Sequence, residues 1–206
     1  MDKSKEIFKA RKICCQMLND RNYIVPEGEE DISYDNFKLK MQNEDLDLYI
    51  NSKENPNDRI YLRFFMARRR INESDFKKEI ESIYESTSFN ESADFKLNII
   101  FITQEKSSSN VLNIVGTGRY SNIELFNLGK LQYNRINHIL QPKFEPVKKD
   151  MEQDILDFYS CSKAQLPKIL HTDPVAQYYG LKPGDLIKVT RISQQTGQQI
   201  VYKHIK

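Results

Sequence analysis

Three charged residues around the most apolar segment of the chain have side chains that could do chemistry. Asp94 precedes the segment KLNIIFIT, and Glu105 and Lys106 follow it. Carboxylates and a lysine near a strand end are typical of metal-dependent nucleases, in which one residue separates the carboxylate from the lysine so that both leave the same face of the strand. Glu105 and Lys106 are adjacent and must diverge. A solvated strand end is therefore the favoured interpretation.

A glycine pair gives an equally weak signal for nucleotide binding. Gly116-x-Gly118 resembles the start of a dinucleotide loop, but Ser121 occupies the position of the third glycine and a strand is expected to follow. The phosphate cradle of such loops requires the N-terminus of a helix. We therefore predict a turn between strands. The sequence also contains no GxxxxGK[ST], HExxH or GxSxG motif and no CxxC pair.

The cysteines and histidines do not form a metal-ligand pattern. Cys14 and Cys15 are adjacent on a predicted helix, where their side chains point about 100° apart and cannot chelate zinc without further ligands. Core-facing thiols are the favoured interpretation. The remaining candidates stand in unrelated segments: Cys161, His138, His171 and His204. We predict no catalytic residue, no metal site and no cofactor.

Arg68, Arg69 and Arg70 directly follow a predicted strand. Three consecutive arginines could hold the phosphate backbone of a nucleic acid. They are also typical of a solvated turn that ends a sheet edge. Both interpretations stay open on the residues alone.

The composition indicates how much structure is available to position these residues. The chain has 206 residues, of which 39% are apolar and 29% charged, as expected of one large or two modest soluble domains. It contains no run of about 18 apolar residues and no apolar segment near the N-terminus. We therefore expect neither a membrane span nor secretion, and an intracellular location.

Charge is distributed unevenly along the chain. Residues 1–50 contain 8 Lys and Arg against 11 Asp and Glu, whereas residues 163–206 contain 7 against 2. A mildly basic C-terminal module suits an acidic protein surface or a phosphate backbone, and it does not select between them.

Periodicity predicts a mixed order of elements before residue 140. Helices are expected at residues 4–19, from the N-cap candidate Ser33, and after the cap candidates Asn72 and Ser74. Strands are expected at residues 59–66, 96–103, 111–115, 123–126 and 131–136. This pattern favours an α+β or α/β domain with a mixed sheet.

Prolines place a linker at residues 141–149 (QPKFEPVKK), between domains at 1–140 and 150–206. In the second domain, Asp150 and Gln153 predict a capping box for a helix that buries Ile155, Leu156 and Tyr159. Asp173 predicts the cap of a short helix that ends at Gly180. Strands at residues 186–192 and 199–205 complete a small α+β module.

The segment QLPKI at residues 165–169, followed by DPVAxYxGLKxG at 173–184 and KxxRxS at 188–193, closely resembles the C-terminal domain of the fifth subunit of eukaryotic RNA polymerases, a domain shared with a shorter archaeal counterpart. DRNYIVPEGE and IELFNLGKLQYNRINHILQPK resemble the eukaryotic N-terminal jaw domain and its connection to the shared domain. The resemblance implies assembly-domain residues at Leu166, Pro167, Ile169, Asp173, Pro174, Tyr178, Gly180, Gly184 and Arg191.

The resemblance also implies the function. The chain is expected to be a noncatalytic subunit of a multisubunit DNA-directed RNA polymerase, to dock on the largest subunit, and to place a jaw domain beside downstream double-stranded DNA. Arg68, Arg69 and Arg70 are then candidate DNA contacts. No membrane partner and no homo-oligomer are implied. Two alternatives are a stand-alone nucleic-acid-processing factor with a degenerate nuclease-like domain and a scaffolding adaptor.

The sequence departs from the family pattern at several positions. Phe144 stands where the family usually has histidine, Gln195 where it has threonine, and Gln198 and Gln199 where it has an Arg-Tyr pair. Pro183 stands where a basic residue is common. These departures and an Asn-, Lys- and Ile-rich composition resemble the version encoded by a large cytoplasmic DNA virus. The expected location is the host cytoplasm and virion if viral, and the nucleus if cellular.

Overall fold

The computed structural model of the protein describes residues 3–43, 45–67, 70–87, 96–193 and 197–206. The chain divides into two compact units, Met1–Tyr133 and Asn134–Lys206. No helix among the described residues is long and apolar enough to span a membrane.

The first unit contains a four-stranded mixed sheet. Its helices are α1 (Lys3–Asp20), α2 (Tyr34–Gln42), α3 (Glu73–Ser86) and α4 (Ser109–Ile114). Its strands are β1 (Leu48–Asn51), β2 (Asp58–Phe65), β3 (Lys96–Thr103) and β4 (Ile123–Asn127), in the spatial order β1-β2-β3-β4. β1 is antiparallel to β2, whereas β2, β3 and β4 are parallel. The predicted mixed-sheet α+β class is confirmed.

Both faces of β3 are buried, which explains its nearly continuous apolar sequence. Ile99 and Phe101 belong to a core cluster with α3 and α4, to which Phe76, Ile80 and Val111 contribute. Ile100 and Ile102 lie on the opposite face and are buried as well.

The helix caps that the sequence predicts are present in this unit. The Ser33 hydroxyl accepts a hydrogen bond from the Asn36 amide, and the Asn72 side chain accepts one from the Asp75 amide. The predicted positions of α1, α2, α3, β2, β3 and β4 are confirmed.

Two predicted strands are wrong. Residues 111–115 fall mostly in α4, because the Ser108 hydroxyl accepts a hydrogen bond from the Val111 amide and caps a helix that buries Val111. Residues 131–136 form no strand. A 3-10 turn (Leu128–Leu131) ends there, and the Asn134 side chain accepts a hydrogen bond from the Ile136 amide, which makes a local turn.

The second unit is a smaller sheet with two helices. It contains β5 (Lys143–Pro146), α5 (Lys149–Phe158), a 3-10 turn (Lys163–Gln165), β6 (Lys168–Ile169), α6 (Pro174–Tyr179), β7 (Leu186–Ser193) and β8 (Gly197–Ile205). The spatial order is β5-β7-β8-β6. β7 pairs antiparallel with β5 and β8, and β6 runs parallel to β8. The predicted strands at 186–192 and 199–205 are confirmed.

The predicted division at residues 140 and 150 differs from the observed one. Residues 143–146 of the expected linker form β5 and pair with β7 from Lys143↔Thr190 to Pro146↔Ile187. Proline is tolerated there because β5 is an edge strand. The compact second unit therefore begins at Asn134.

The predicted start of α5 is also corrected. Its N-cap is Lys148, which makes no side-chain cap hydrogen bond, and Gln153 donates instead to Asp157. The capping box occurs later, between Ser162 and Gln165. Leu156 is buried as predicted, but Ile155 is only half-buried and Tyr159 is 49% exposed.

A buried ion pair joins α1 to the following loop and to α2. Arg11, only 1% exposed, donates from Nη2 to Glu29 Oε2 at 2.8 Å and also to the Leu46 carbonyl. Lys40 pairs with the other Glu29 oxygen. Burial by itself raises the pKa of the Glu29 carboxyl, but hydrogen bonds from Lys40 and Arg11 outweigh burial, and the pKa is lowered from its ordinary value.

We predict that Glu29→Gln destabilises the first unit by about 3 kcal/mol at pH 7, because it leaves the buried Arg11 without its counter-charge. The lowered folded-state pKa stabilises the fold above the unfolded-state value of about 4.3, and this contribution is lost as the pH falls through the folded value. The difference between wild type and variant should therefore shrink in acid.

Urea unfolding between pH 7 and pH 3 measures this difference. Glu27→Gln, at an exposed position on the same loop, is the control and should change stability little. A Glu29→Gln effect that stays constant with pH would contradict the argument.

Candidate assembly site

We call the three segments that carry the family resemblance, at residues 165–169, 173–184 and 188–193, the signature of the second unit. Its middle segment contains both ends of the short helix α6. The Asp173 carboxylate accepts a hydrogen bond from the Val175 amide at 2.9 Å, and Pro174 occupies the first helical turn. Gly180 ends α6 in the left-handed conformation with φ 65°, and its amide bonds back to the Ala176 and Gln177 carbonyls. The predicted cap, first-turn proline and terminal glycine are confirmed.

α6 packs against one face of the second sheet. Val175 and Ala176 join a core cluster with Phe144, Ile187, Val189 and Ile205. Phe144, one of the departures named in the sequence analysis, supplies apolar packing here with an exposed fraction of 9%.

Tyr178 and Gly184 have structural positions in the signature. Tyr178 is 7% exposed, and its hydroxyl accepts a hydrogen bond from Asn134 Nδ2 at 3.2 Å. Gly184 adopts φ 98° in the turn before β7, and its amide donates to the Ile205 carbonyl at 3.0 Å. Both residues therefore hold the fold together in addition to any role in assembly.

Lys168 and Ile169, at the end of the QLPKI segment, form β6 at an edge of the sheet. The Pro167 carbonyl accepts a hydrogen bond from the His204 amide, and the Ile169 carbonyl accepts one from the Lys206 amide, each at 2.9 Å. Ile169 is half-buried against the core cluster, Leu166 is half-buried, and Pro167 is exposed. Leu170, which the sequence analysis missed, is 57% exposed. Its position directly after the sequence LPKI was the signal that could have identified it as a candidate residue of the site.

A buried carboxylate joins three parts of this unit. Glu152 on α5 is 7% exposed; it accepts a hydrogen bond from the Leu186 amide at 3.3 Å and pairs with Lys163. Lys163 Nζ also donates to the Gly184 carbonyl at 2.9 Å. The sequence analysis missed this interaction, because a Glu in the first turn of a helix is normally solvated.

The hairpin of β7 and β8 carries the remaining signature residue. Arg191 is exposed and lies opposite Gln199 in the register of the hairpin. Gln198 is exposed as well, opposite Ile192. Gln195 lies outside the described residues.

The charged candidates of the first unit are only partly described, since Arg68, Arg69 and Asp94 lie outside the described residues. Arg70, Glu105 and Lys106 are exposed. The Ser108 amide donates to the Ile71 carbonyl at 3.3 Å, so the segment after β3 lies beside the segment after β2. Arg70 and Lys106 therefore belong to neighbouring segments at the same end of the sheet.

The cysteines of α1 are unsuited to nucleophilic or metal chemistry. Cys14 and Cys15 are fully buried, and burial raises the pKa of Cys15 to about 11 and also raises that of Cys14. Within the described ranges, no three His, Cys, Asp or Glu side chains are grouped to hold a metal ion. Gly116 and Gly118 both have positive φ, but they follow α4, so the predicted turn between two strands is corrected to a turn between a helix and β4.

Comparisons with known proteins agree with this two-part arrangement. The family "RNA polymerase Rpb5, N-terminal domain" matches residues 1–83, and "RNA polymerase Rpb5, C-terminal domain" matches residues 133–205. The second match begins within one residue of the second compact unit.

Relatives match over nearly their whole length. The chain is 30% identical to the "DNA-directed RNA polymerases I, II, and III subunit rpabc1" of Dictyostelium discoideum, with 98% of each chain covered. It is 28% identical to "DNA-directed RNA polymerase subunit 5-like protein 1" of Arabidopsis thaliana, covering 92% of this chain and 90% of that protein. It is 26% identical to the RPABC1 subunit of Caenorhabditis elegans, covering 96% and 94%.

The fold and the matches define a two-domain polymerase subunit. The chain belongs to the Rpb5 family, and it is accordingly a noncatalytic structural subunit of a DNA-directed RNA polymerase. The nuclease-like alternative is not favoured.

We predict that Lys163→Met destabilises the second unit by about 2 kcal/mol, because it leaves the Glu152 carboxylate buried without a cation. The double variant Glu152→Gln/Lys163→Met should recover at least about 1 kcal/mol of that loss, since the neutral amide can still accept from the Leu186 amide. Urea unfolding of the wild type, Glu152→Gln, Lys163→Met and the double variant measures the coupling energy between the two side chains. Lys168→Met, at an exposed position, is the control; purely additive effects would contradict the proposed ion pair.

Proposed function

We propose that the protein docks on the largest subunit of its polymerase through the open edge of β6. The observation that carries this proposal is the apolar character of that edge: Pro167 is exposed, Leu170 is 57% exposed and Leu166 is half-buried. Exposed apolar side chains at a sheet edge are suited to a protein interface.

The backbone of β6 supports the same proposal. The Pro167 and Ile169 carbonyls bond to β8, and successive backbone groups of a strand alternate in direction. The amide and carbonyl of Lys168 therefore point toward the open edge of the sheet, where an extended segment of the partner could add a strand. The other signature residues, among them Asp173, Tyr178 and Gly180, would act by shaping the support beneath this edge.

We predict that Leu170→Asp combined with Pro167→Asp lowers recovery of the tagged subunit with the largest subunit at least tenfold. Two desolvated carboxylates in an apolar interface would be unpaired, at several kcal/mol of cost. The measurement is quantitative co-purification of the tagged full-length chain from cells that contain the polymerase. One copy per largest subunit is expected, and not a homo-oligomer.

The matched control is Ile192→Asp, at a residue of the hairpin that is 94% exposed. It should leave co-purification unchanged. Circular dichroism and the unfolding midpoint must show that both proteins are folded. Undiminished recovery of a folded Pro167→Asp/Leu170→Asp protein would assign docking to another surface.

We further propose that the first unit contacts downstream double-stranded DNA. Arg70 and Lys106 are exposed on neighbouring segments that follow parallel strands, and Arg68 and Arg69 directly precede Arg70. Cations grouped in this way can hold phosphates without reading bases. The competing interpretation is a solvated turn with no contact to DNA.

We predict that changing Arg68, Arg69 and Arg70 to Gln leaves assembly intact and weakens retention of downstream DNA by the elongating polymerase. The slope of log affinity against log salt should flatten by about one unit for each lost phosphate contact. The control replaces three exposed lysines on α1 and α3 with Gln, namely Lys5, Lys9 and Lys78. An unchanged slope in an intact arginine-variant polymerase would assign the arginines to the solvated turn.

We also infer that this is the version of the subunit encoded by a large cytoplasmic DNA virus. The departures at Phe144, Gln198 and Gln199 and the Asn-, Lys- and Ile-rich composition support this inference. The protein would then act in the host cytoplasm and be packaged in the virion, whereas a cellular version would act in the nucleus. Its presence in purified virions tests the inference, and a gene on a host chromosome with nuclear protein would overturn it.

A further inference from the structure

α5 leaves most of its apolar surface uncovered. Only Glu152 and Leu156 are buried in this ten-residue helix. Met151 is 55% exposed, Phe158 is 81% exposed and Ile155 is half-buried. Positions i, i+4 and i+7 share one side of a helix, so these three residues form a continuous apolar row. A helix that served only the core would turn such a row inward.

An acidic row borders the apolar one. Asp150, Asp154 and Asp157 repeat the same spacing one position earlier, and all three are exposed. Consecutive positions differ by about 100° around a helix, so the two rows lie side by side. No Lys or Arg occurs between residues 150 and 162, and the partial negative charge at the C-terminal end of the helix adds to the acidic potential.

The buried side of α5 attaches this surface to the rest of the unit. Its buried side is fixed by Leu156 and by the hydrogen bond and ion pair of Glu152. The Tyr159 ring lies 5.8 Å from that of Tyr202 on β8, and the Phe158 ring stands edge-on to Tyr159 at 5.1 Å. Phe158 therefore contacts one neighbouring ring, that of Tyr159, while most of its surface faces solvent. An exposed aromatic side chain is suited to be an interface anchor, because its burial removes a large apolar area from water.

We propose that the outer face of α5 binds a basic amphipathic helical segment of a partner protein. Apolar residues of that segment would pack against Met151, Ile155 and Phe158, and its Lys or Arg residues would face the three aspartates. The charge selects this occupant among the alternatives. A nucleic acid, an anionic membrane or the same face of a second copy would each be repelled by the acidic row.

A peptide of known design tests the proposal on the full-length chain. The probe is an 18-residue fluorescent peptide of Leu and Lys, with leucines at helical spacing, and its matched control replaces every Lys with Glu. Fluorescence anisotropy should show saturable binding of the Leu/Lys peptide and none of the Leu/Glu peptide. Failure of the Leu/Lys peptide to saturate below about 1 mM, or equal binding of both peptides, would overturn the proposal.

Three variants locate the binding site. Met151→Ser/Phe158→Ser should weaken binding at least tenfold, and Asp150→Asn/Asp154→Asn/Asp157→Asn should weaken it and reduce its salt dependence. Ile192→Ser, at the 94% exposed residue of the hairpin, is the control and should bind as the wild type does. Circular dichroism establishes that each variant is folded. Wild-type affinity in the first two variants would overturn the proposal, and because no polymerase is used, the result is independent of docking through β6.

Discussion

The arrangement of the second unit depends on one buried carboxylate. Glu152 reaches from α5 to the first amide of β7 and to Lys163, whose ammonium also meets the carbonyl of Gly184. Lys163 belongs to the 3-10 turn that leads into β6, and Gly184 belongs to the turn that leads into β7. The same ion pair therefore fixes both the helix that carries the acidic and apolar rows and the approach to the edge strand. A buried charge is costly unless its hydrogen bonds and counter-charge are present, so few other arrangements of these three segments would satisfy Glu152.

The C-terminal signature combines residues with two physical roles. Asp173 and Gly180 are required by the ends of α6, and Gly184 by a turn with positive φ, whatever the protein binds. Pro167 and Leu170 are exposed, and no local requirement of the fold explains an apolar side chain at either position. Resemblance alone treats both sets as assembly residues. The structural requirement separates them, because the caps and the turn account for Asp173, Gly180 and Gly184 but not for the exposed apolar side chains.

Much of the fold follows from local rules. Ser33, Asn72 and Asp173 are cap residues with an available amide two or three positions later, and the uninterrupted apolar sequence of β3 matches burial on both faces. The two wrong strand predictions, at residues 111–115 and 131–136, have a similar cause, because side-chain hydrogen bonds or tertiary packing override strand propensity. Val111 has strand propensity, yet the Ser108 cap and packing against α3 place it in a helix.

The edge strand β5 shows the same limit of local reasoning. Pro146 indicates a linker when only neighbours in sequence are considered, but an edge position removes the penalty for a missing amide. Glu152 was equally hidden, since its partners Lys163 and Leu186 are distant in sequence and no periodic pattern connects them.

The two faces of the second sheet explain why a small unit retains so much exposed apolar surface. The face that includes Ile187 and Val189 is closed by α6, and Phe144 adds apolar packing there. Leu186 and Tyr202 lie on the opposite face, because side chains alternate along a strand, and there α5 contributes only Leu156 and Glu152 to the buried interior. A domain of this size buries a modest fraction of its surface on folding. Apolar side chains that stay mostly exposed, such as Phe158 and Leu170, contribute little to the stability of the isolated chain, and burying them in a contact with a partner would be favourable. A subunit whose role is structural would use them in this way, with its own core sufficient for folding and its outer rows reserved for assembly.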